Sequence, residues 1–383
     1  MNKDEIRSHA IELRRRLHRV PEVAFDLPKT LKIVKGELDR LGIPYAEGLG
    51  RSGIVATVNA GSAGKTIALR ADMDALPIKE ETGLPFASEH EGRMHACGHD
   101  CHTAILLTVA KVLKECEDTL PCRVKLIFQP AEEAAPGGAK LMCEDGAMDG
   151  VDAIFAGHIN PGLDCGKIAF NYGRMYANSH GFLLTFHGKS CHVCSPQCGV
   201  DAIAMAIRAY TDIQIMKARE LNPREPSVIG IGEIHGGEAN NIVCDKVTMH
   251  GTVRTLSDSL DEKIYRRIEQ IADSVSRDMG GSYTLVTTKH YPSLVNDSEM
   301  ASYLKSCAIE ALGAQNVYDD RQYTLAAEDF SFYLKHARGA FFSIGAGKDN
   351  CPPFPLHNSR FTVDEEGLAP AVDVFVSLVR NFK

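Results

Sequence analysis

The sequence lacks long apolar runs, basic blocks and a secretory leader, and each absence excludes a class of protein. No stretch approaches the ~20 apolar residues that a membrane-spanning helix requires. The formal net charge is −8 and the richest basic cluster is residues 14–16, which excludes nucleic acid and acidic membrane surfaces as expected partners. Twelve cysteines without a hydrophobic amino-terminal signal are typical of a reducing compartment, so we expect a cytoplasmic protein.

The chain also lacks internal repeats and low-complexity linkers, so its domains must be found from the pattern of strands and helices. Its 383 residues are too many for one small core. Between about residues 50 and 160, short apolar runs alternate with helical patterns, which predicts a mainly parallel sheet sandwiched by helices. The predicted strands of this sheet cover residues 54–58, 66–70, 124–128, 153–156 and 340–344.

The pattern changes between about residues 180 and 290. There the order strand, helix, strand, strand, helix, strand matches the ferredoxin-like motif. The predicted elements are strand 180–187, helix 199–217, strand 227–234, strand 246–253, helix 258–277 and strand 283–289. We therefore expect an α/β fold in which residues 1–178 and 290–383 form one domain and residues 179–289 form an inserted α+β domain.

The densest group of metal-binding side chains lies in residues 94–102, Met-His-Ala-Cys-Gly-His-Asp-Cys-His. The apolar face of a predicted helix follows directly, formed by Ile105, Leu106, Val109, Ala110 and Leu113. Cys97 and His99 are close enough in the chain to bind one ion or one pair of ions. A redox-active cysteine pair or ordinary polar loop residues are the alternatives.

Adjacent carboxylates, Glu132 and Glu133, follow a predicted strand and a proline. Next to a cation, one of two such carboxylates can bind the ion while the other takes a proton from a water molecule. Paired glutamates are also common on solvated helix surfaces, and the position at the end of a strand favours the functional interpretation. In open α/β sheets, ligands bind beyond the carboxyl ends of the strands.

Two histidines and two aspartates are weaker candidates when each is taken alone. His158 follows an apolar strand, and His357 lies in the loop after another. A single histidine in such a position is more often a satisfied core residue than a ligand. Asp72 and Asp74 lie two residues apart and could bind metal, orient a ligating histidine or simply form a turn.

Residues 191–198 contain three cysteines and His192, which could indicate a structural zinc or iron–sulfur site. A structural zinc site usually takes a second pair of ligands from a distant segment, and none is obvious. Cysteine can also stand where serine, alanine or leucine would serve in a cytoplasmic protein. The residue of interest in this segment is therefore His192.

Taken in order, the motifs resemble those of the aminoacylase/carboxypeptidase family of metal-dependent amidohydrolases, peptidase family M20. The most similar branch includes hippurate hydrolases, auxin-conjugate hydrolases, N-acetyldiaminopimelate deacetylases and N-acyl-amino-acid hydrolases. The matching segments are residues 17–22, 70–77, 94–103, 128–133, 157–158, 187–192, 240–245, 251–254, 328–330 and 356–357. They span nearly the whole chain in the family's order.

The resemblance implies a zinc-exopeptidase-like catalytic domain and an inserted domain for closure and dimerisation. It implies two divalent ions per subunit, with the ligands Cys97, His99, Glu133, His158 and His357. It also implies Glu132 as general base, Asp74 behind the site, His192 at the oxyanion, and Asn241 and Arg254 at the substrate carboxylate. A thiolate with imidazoles favours zinc, with manganese, cobalt and nickel as further candidates. His95, Asp100 and His102 then become supporting residues, and Cys101 is incidental.

The expected reaction is hydrolysis of an N-acyl amino acid, by a homodimer formed through the inserted domain. A dipeptidase or carboxypeptidase and an N-acetyldiaminopimelate deacetylase are alternatives within the family. A thiol hydrolase using Cys97 or Cys101, and a metal-binding protein without activity, are alternatives of other classes. Cys194, Cys198 and Cys244 depart from the family pattern without touching the implied ligands.

Overall fold

The structure is a computed structural model that describes residues 1–319, 323–347 and 354–383. The chain divides into two compact units, each with its own hydrophobic core. The first unit consists of Met1–Met175, Val295–Gln322 and Asp329–Lys383, and the second of Tyr176–Leu294 and Tyr323–Glu328. The division between two independent domains at residues 178/179 and 289/290 stays a prediction. Within the described residues, no helix has both the length and the apolar character needed to cross a bilayer.

The first unit is built on a mixed sheet whose central strands are parallel. Its strands in the described part of the chain are β1 Tyr45–Leu49, β2 Gly53–Val58, β3 Thr66–Asp72, β4 Arg123–Gln129, β5 Ala153–Asp164, β6 Ile168–Phe170, β13 Val317–Asp319 and β14 Arg338–Gly347. These eight strands lie in the order β1-β2-β4-β3-β5-β14-β6-β13. The helices are α1 Lys3–His18, α2 Pro28–Leu41, α3 His99–Glu115, α4 Gly138–Glu144, α7 Ser298–Leu312 and α8 Leu368–Asn381. The predicted α/β sheet is confirmed.

Three strands of this sheet extend at one or both ends by at least two residues beyond the predicted ranges, and one of them is β14, predicted at 340–344 and observed at Arg338–Gly347. The strand predicted at 66–70 continues to Asp72, and the strand predicted at 153–156 continues to Asp164. The extension to Asp164 is supported by parallel pairing with β14, in which Ser343 lies opposite His158. His158 therefore lies inside a strand and does not follow one.

The second unit contains a four-stranded antiparallel sheet with two helices. Its elements are β8 Ser179–His187, α5 Ala202–Arg219, β9 Ser227–Gly236, β10 Lys246–Thr255, α6 Asp258–Met279 and β11 Ser282–Tyr291. The strands lie in the order β11-β8-β10-β9. Short strands β7 Arg174–Tyr176 and β12 Leu294–Val295 lie where the chain passes between the units. The predicted ferredoxin-like order of elements is confirmed, and both helices contribute to one core with the sheet.

The helix predicted at 199–217 begins later, at Ala202. The preceding Asp201 accepts hydrogen bonds from the backbone N–H groups of Ile203 and Ala204, which is the geometry of an N-cap. A separate short 3₁₀ turn at Pro196–Cys198 precedes the helix. A capping aspartate thus moves the start of the helix three residues beyond the predicted one.

A buried histidine on α1 predicts a measurable pH dependence of stability. Burial alone would lower the pKa of His18, but Asp100 and Glu80 together raise it above the ordinary value of 6.5. The stabilisation is therefore complete below pH ~6.5 and is lost as the pH rises through the raised pKa. His18→Gln should have a lower free energy of unfolding than wild type, and this deficit should be larger at pH 6 than at pH 9.5. The difference between the two deficits should be about 1.4 kcal/mol for each unit by which folding raises the pKa of His18. Exposed His336→Gln is the control, and a pH-independent deficit in His18→Gln contradicts the prediction.

Candidate metal centre

Five predicted ligands lie on four separate segments of the first unit. Cys97 precedes α3, His99 is the first residue of α3, and His158 lies in β5. Glu133 follows β4, and His357 follows β14 at a distance in sequence. The backbone N–H of His357 donates to the carbonyl of Ala96 at 2.8 Å, which holds the late loop against the Cys97 loop.

The ligand atoms form two groups that share Cys97. One group contains Cys97, His99 and His158, and the other contains Cys97, Glu133 and His357, with all ligand atoms of a group within 4.8 Å of one another. Cys97 Sγ lies 3.3 Å from His158 Nε2, and His357 Nε2 lies 3.0 Å from Glu133 Oε1. A shared thiolate between two three-ligand groups is an arrangement that can hold two cations side by side.

The hydrogen bond of His158 fixes which ring nitrogen can bind a metal. His158 Nδ1 lies 2.8 Å from the carbonyl oxygen of Ile159, so Nδ1 carries the hydrogen and donates. The Nε2 lone pair is then left facing Cys97 Sγ. Burial, reinforced by His102, lowers the pKa of His158 to about 3, so the ring is neutral, as a metal ligand must be.

A third group, Asp72 with His99 and His102, also meets the distance criterion for a metal site. The ligand atoms that Asp72 and His102 would contribute are already used within the protein. His102 Nδ1 lies 2.6 Å from Asp72 Oδ1, and His102 Nε2 accepts a hydrogen bond from the N–H of Ile159. Asp72 Oδ2 accepts from Arg70 at 2.6 Å. This group therefore supports the strand that carries His158 and is not itself a ligand set.

Asp74 connects the predicted base, the adjacent ligand and His99. Its Oδ1 accepts a hydrogen bond from the backbone N–H of Glu132 at 2.9 Å, and its Oδ2 accepts from that of Glu133 at 3.1 Å. Asp74 Oδ1 also lies 3.4 Å from His99 Nδ1. Asp74 is fully buried, and it positions the backbone of both glutamates while its carboxylate faces the ring of His99.

Glu132 follows a strained backbone position. Ala131 has a φ of +53°, in the left-handed region that residues with a Cβ rarely adopt. This turn, together with the bonds to Asp74, directs both glutamates to the same place. The carboxylate oxygens of Glu132 and Glu133 lie within 4.8 Å of each other and of a His99 ring nitrogen. Glu132 is buried, where water competes little for its carboxylate.

The carboxylates around Cys97 and His99 make this a place suited to a cation. Burial raises the pKa of the Cys97 thiol well above its usual value, and Glu133 and Glu132 raise it further. Burial opposes the charged form of His99, but Asp72, Asp74 and Glu133 outweigh it and raise its pKa to about 10. His99 Nε2 is buried without a hydrogen-bond partner among the described residues, whereas Nδ1 lies 3.4 Å from Asp74 Oδ1. A divalent cation would satisfy a ring nitrogen and balance the surrounding carboxylates.

Zinc loading should release protons from these two residues. At pH 8 the Cys97 thiol and the His99 imidazolium both carry a proton that a metal ligand must lose. We expect release of about two protons per chain and an affinity that rises up to about 100-fold per pH unit between pH 6 and 8. An indicator dye in weak buffer measures the release. Cys97→Ser should release fewer protons than wild type, and equal affinity at both pH values would contradict the assignment.

The other predicted site residues lie in the second unit. His192 is exposed, and its Nδ1 accepts a hydrogen bond from the backbone N–H of Cys194 at 3.2 Å, so its Nε2 carries the hydrogen. The carbonyl of Asn241 accepts from the N–H of Val193, which links the two loops. Arg254 is half-buried, and none of the described carboxylates forms an ion pair with it. Among the described residues, the cysteines of segment 191–198 belong to no metal-binding group.

Comparison with known proteins agrees with this geometry. A family model described as Peptidase family M20/M25/M40 matches residues 68–381. The chain belongs to this family. The predicted family resemblance is therefore confirmed, and M20 proteins are hydrolases.

Several M20 relatives are similar over nearly the whole chain. An N-acetyl-L-cysteine deacetylase from Bacillus subtilis is 35% identical over 97% of this chain and 87% of the relative. Thermostable carboxypeptidase 1 from Saccharolobus solfataricus is 36% identical over 95% of this chain and 93% of the relative. An IAA-amino acid hydrolase from Arabidopsis thaliana is 35% identical over 97% and 86%. These relatives act on different substrates, so M20 membership establishes a hydrolase and leaves its substrate open.

Solved structures of M20 proteins share the fold. A dinuclear metal-binding peptidase of the M20 family from Bacillus subtilis has a TM-score of 0.85 and 30% identity, over 98% of each chain. A protein from methicillin-resistant Staphylococcus aureus has a TM-score of 0.95 and 35% identity, over 99% of this chain and 97% of that one. The Bacillus subtilis neighbour is described as dinuclear, and in this chain two candidate ligand groups have Cys97 in common.

Motif reasoning missed the charged network behind the ligands. The buried guanidinium of Arg70 donates to Gln129 Oε1, Asp72 Oδ2 and Asp329 Oδ1 at 2.6–2.8 Å. Gln129 also donates to Asp329. The signal available in the sequence was an arginine inside a predicted buried strand, because a buried charge requires partners.

Proposed function

We propose that the protein hydrolyses the amide bond of N-acyl amino acids to a carboxylic acid and a free amino acid. The observation that carries the proposal is the pairing of two ligand groups sharing Cys97 with a second, buried glutamate, Glu132. Binding of metal alone does not require Glu132. Two relatives are named as an N-acetyl-L-cysteine deacetylase and an IAA-amino acid hydrolase, and both names refer to a conjugated amino acid, which supports this substrate class.

Cys97, His99, Glu133, His158 and His357 would hold two divalent ions, since these residues form two candidate ligand groups that have Cys97 in common. Bound there, the ions would acidify water and polarise the scissile carbonyl. Glu132 takes a proton from the attacking water and delivers it to the departing amine. Asp74 keeps the carboxylate of Glu132 in place through the backbone hydrogen bond to Oδ1. Zinc is the proposed metal because a thiolate and imidazoles are among the donors.

The second unit would supply substrate contacts. His192 has a ring hydrogen on Nε2, and such a donor can stabilise a developing oxyanion. Arg254, a half-buried guanidinium without a carboxylate partner among the described residues, can pair with the carboxylate of the amino acid product. Asn241 is joined to the His192 loop by the hydrogen bond from Val193. Domain closure would bring these groups to the reacting bond.

We also propose a cytoplasmic homodimer formed through the inserted unit. Ile203, Ile207 and Tyr210 lie at helical spacing on α5 and are exposed, with Ile207 at 62%. Strand β9 is an edge of the four-stranded sheet and exposes Ile234. An apolar helix face beside a free strand edge is suited to pairing with a second copy.

The test is a panel of N-acetyl and N-benzoyl amino acids, assayed with and without chelator and with zinc, manganese or cobalt restored. We expect chelator-sensitive release of the free amino acid. The same panel should contain dipeptides, because the carboxypeptidase relatives make peptide hydrolysis the second candidate. It should also contain carboxyl-blocked N-acyl amino acids, which lack the carboxylate that Arg254 is proposed to bind. Faster cleavage of dipeptides than of every N-acyl amino acid would reject the proposal in favour of that candidate.

A further inference from the structure

A buried ion-pair cluster lies behind the loop that carries Cys97 and His99. Asp100, the residue after His99, accepts on a single oxygen, Oδ2, from Arg14 Nε at 3.0 Å and from His18 Nδ1 at 2.7 Å. Arg14, His18 and Asp100 are each at most 2% exposed. Helix α1 is thus joined through charged hydrogen bonds to the first turn of the metal-binding helix.

The outer side of the cluster is closed by two further carboxylates. Arg14 donates to Glu365 at 3.0 Å, and His18 Nε2 lies 3.2 Å from Glu80 Oε1. The cluster therefore links α1, the segment around Glu80, the turn before α8 and α3 at one point. Each bond uses a rigid planar group, so the position of Asp100 is defined from two directions.

Stability alone does not explain this arrangement. Buried ion pairs are often no more stabilising than apolar side chains of similar volume. The cluster also leaves buried polar atoms without a partner among the described residues, namely Asp100 Oδ1 and both ring nitrogens of His95. Such atoms are destabilising, so the arrangement is expected to serve the neighbouring site.

The start of α3 shows what the cluster does. Gly98 is the N-cap, with a φ of +88°, and no side chain caps the helix there. A Cβ at Gly98 would lie 3.2 Å from the side chain of Ile159, and at this φ a residue with a side chain would be strained, so the position disfavours a capping side chain. Two side chains of the first turn are instead anchored elsewhere in the unit, Asp100 to α1 and His102 to Asp72 and the backbone of Ile159.

We propose that Arg14, His18 and Asp100 are positioning residues that fix the first turn of α3 and thereby set the affinity of the Cys97–His99 loop for divalent cations. The inference rests on the proposed metal centre. Partners that orient metal ligands typically change metal affinity by about 10- to 100-fold when they are replaced.

The first test is the zinc dissociation constant of Asp100→Asn, measured on the full chain by competition with a chromophoric chelator. We expect it to rise by about 10- to 100-fold. The milder His18→Gln keeps the Arg14–Asp100 pair and should weaken zinc about 10-fold. Leu304→Ala, in the fully buried face of α7, is a control that lowers folding stability away from the loop. It should leave the zinc dissociation constant unchanged.

A double-mutant cycle separates positioning from general destabilisation. If Arg14 acts through Asp100, then Arg14→Gln combined with Asp100→Asn should bind zinc no more weakly than the weaker single variant. The inference is overturned if Asp100→Asn and His18→Gln both bind zinc with wild-type affinity. It is also overturned if Leu304→Ala weakens zinc binding as much as Asp100→Asn does, or if the effects of Arg14→Gln and Asp100→Asn on zinc affinity are additive. A wild-type chain that binds no zinc overturns the proposed metal centre itself, and this inference with it.

Discussion

Replacement of Glu132 by glutamine is expected to lower kcat by about 10²- to 10⁴-fold, because the amide cannot take a proton from the attacking water. The metal content should stay at the wild-type level, since Glu132 lies outside the two groups that share Cys97. The backbone hydrogen bond to Asp74 Oδ1 does not depend on the side chain and should survive. Steady-state kinetics and metal analysis on the same preparation measure both quantities.

Glu133→Gln is the matched control for this variant. Its side chain belongs to a ligand group with Cys97 and His357, so its replacement should reduce the amount of metal bound. The two neighbouring substitutions should therefore differ in metal content. Glu132→Gln should lose activity and retain metal, whereas Glu133→Gln should lose both. Near-normal kcat in Glu132→Gln would mean that another group is the base.

Removal of divalent ions is expected to abolish hydrolysis, and addition of zinc, manganese or cobalt should restore it. In the metal-free protein, burial and the nearby Glu133 and Glu132 carboxylates raise the pKa of the Cys97 thiol well above its usual value. A thiol held in this form is a poor nucleophile at neutral pH. The raised pKa of this thiol therefore argues against Cys97 as a catalytic nucleophile in the metal-free protein.

Two cysteine variants test this assignment. Cys97→Ala should lose metal and activity together, because Cys97 is common to both ligand groups. Cys101→Ala should retain both, since Cys101 is buried and belongs to none of the metal-binding groups among the described residues. Activity that persists in chelator and disappears in Cys101→Ala would instead indicate a thiol enzyme.

The fold was predictable where local pattern and burial agree. Strand β4 and the elements of the second unit were found within a few residues, because their apolar periodicity is strong. The part of β5 after residue 156 was missed because residues 157–164 contain glycine, proline and asparagine, which are depleted in strands. Pairing with β14, almost two hundred residues later in the chain, overrides that local preference.

The site was predictable to the extent that its residues are adjacent in sequence. The local pattern of the Cys97–His99 loop indicated metal binding directly, whereas His158 and His357 depended on family resemblance. The contacts that support the ligands join distant parts of the chain, such as Arg70 with Asp329 and Arg14 with Asp100. No local pattern encodes such pairs, because either residue alone resembles an ordinary charged side chain.

We propose that two divalent ions, which the two ligand groups containing Cys97 would hold, allow Glu132 to act as the base in hydrolysis of an N-acyl amino acid. One titration tests it most directly, in which zinc is added to the metal-free protein while bound zinc and the release of amino acid from an N-acyl substrate panel are followed together. The account predicts that activity appears as up to two zinc ions bind per chain, and that Glu132→Gln binds the same number without activity. Hydrolysis by the metal-free protein, or by metal-loaded Glu132→Gln at the wild-type rate, would contradict the account.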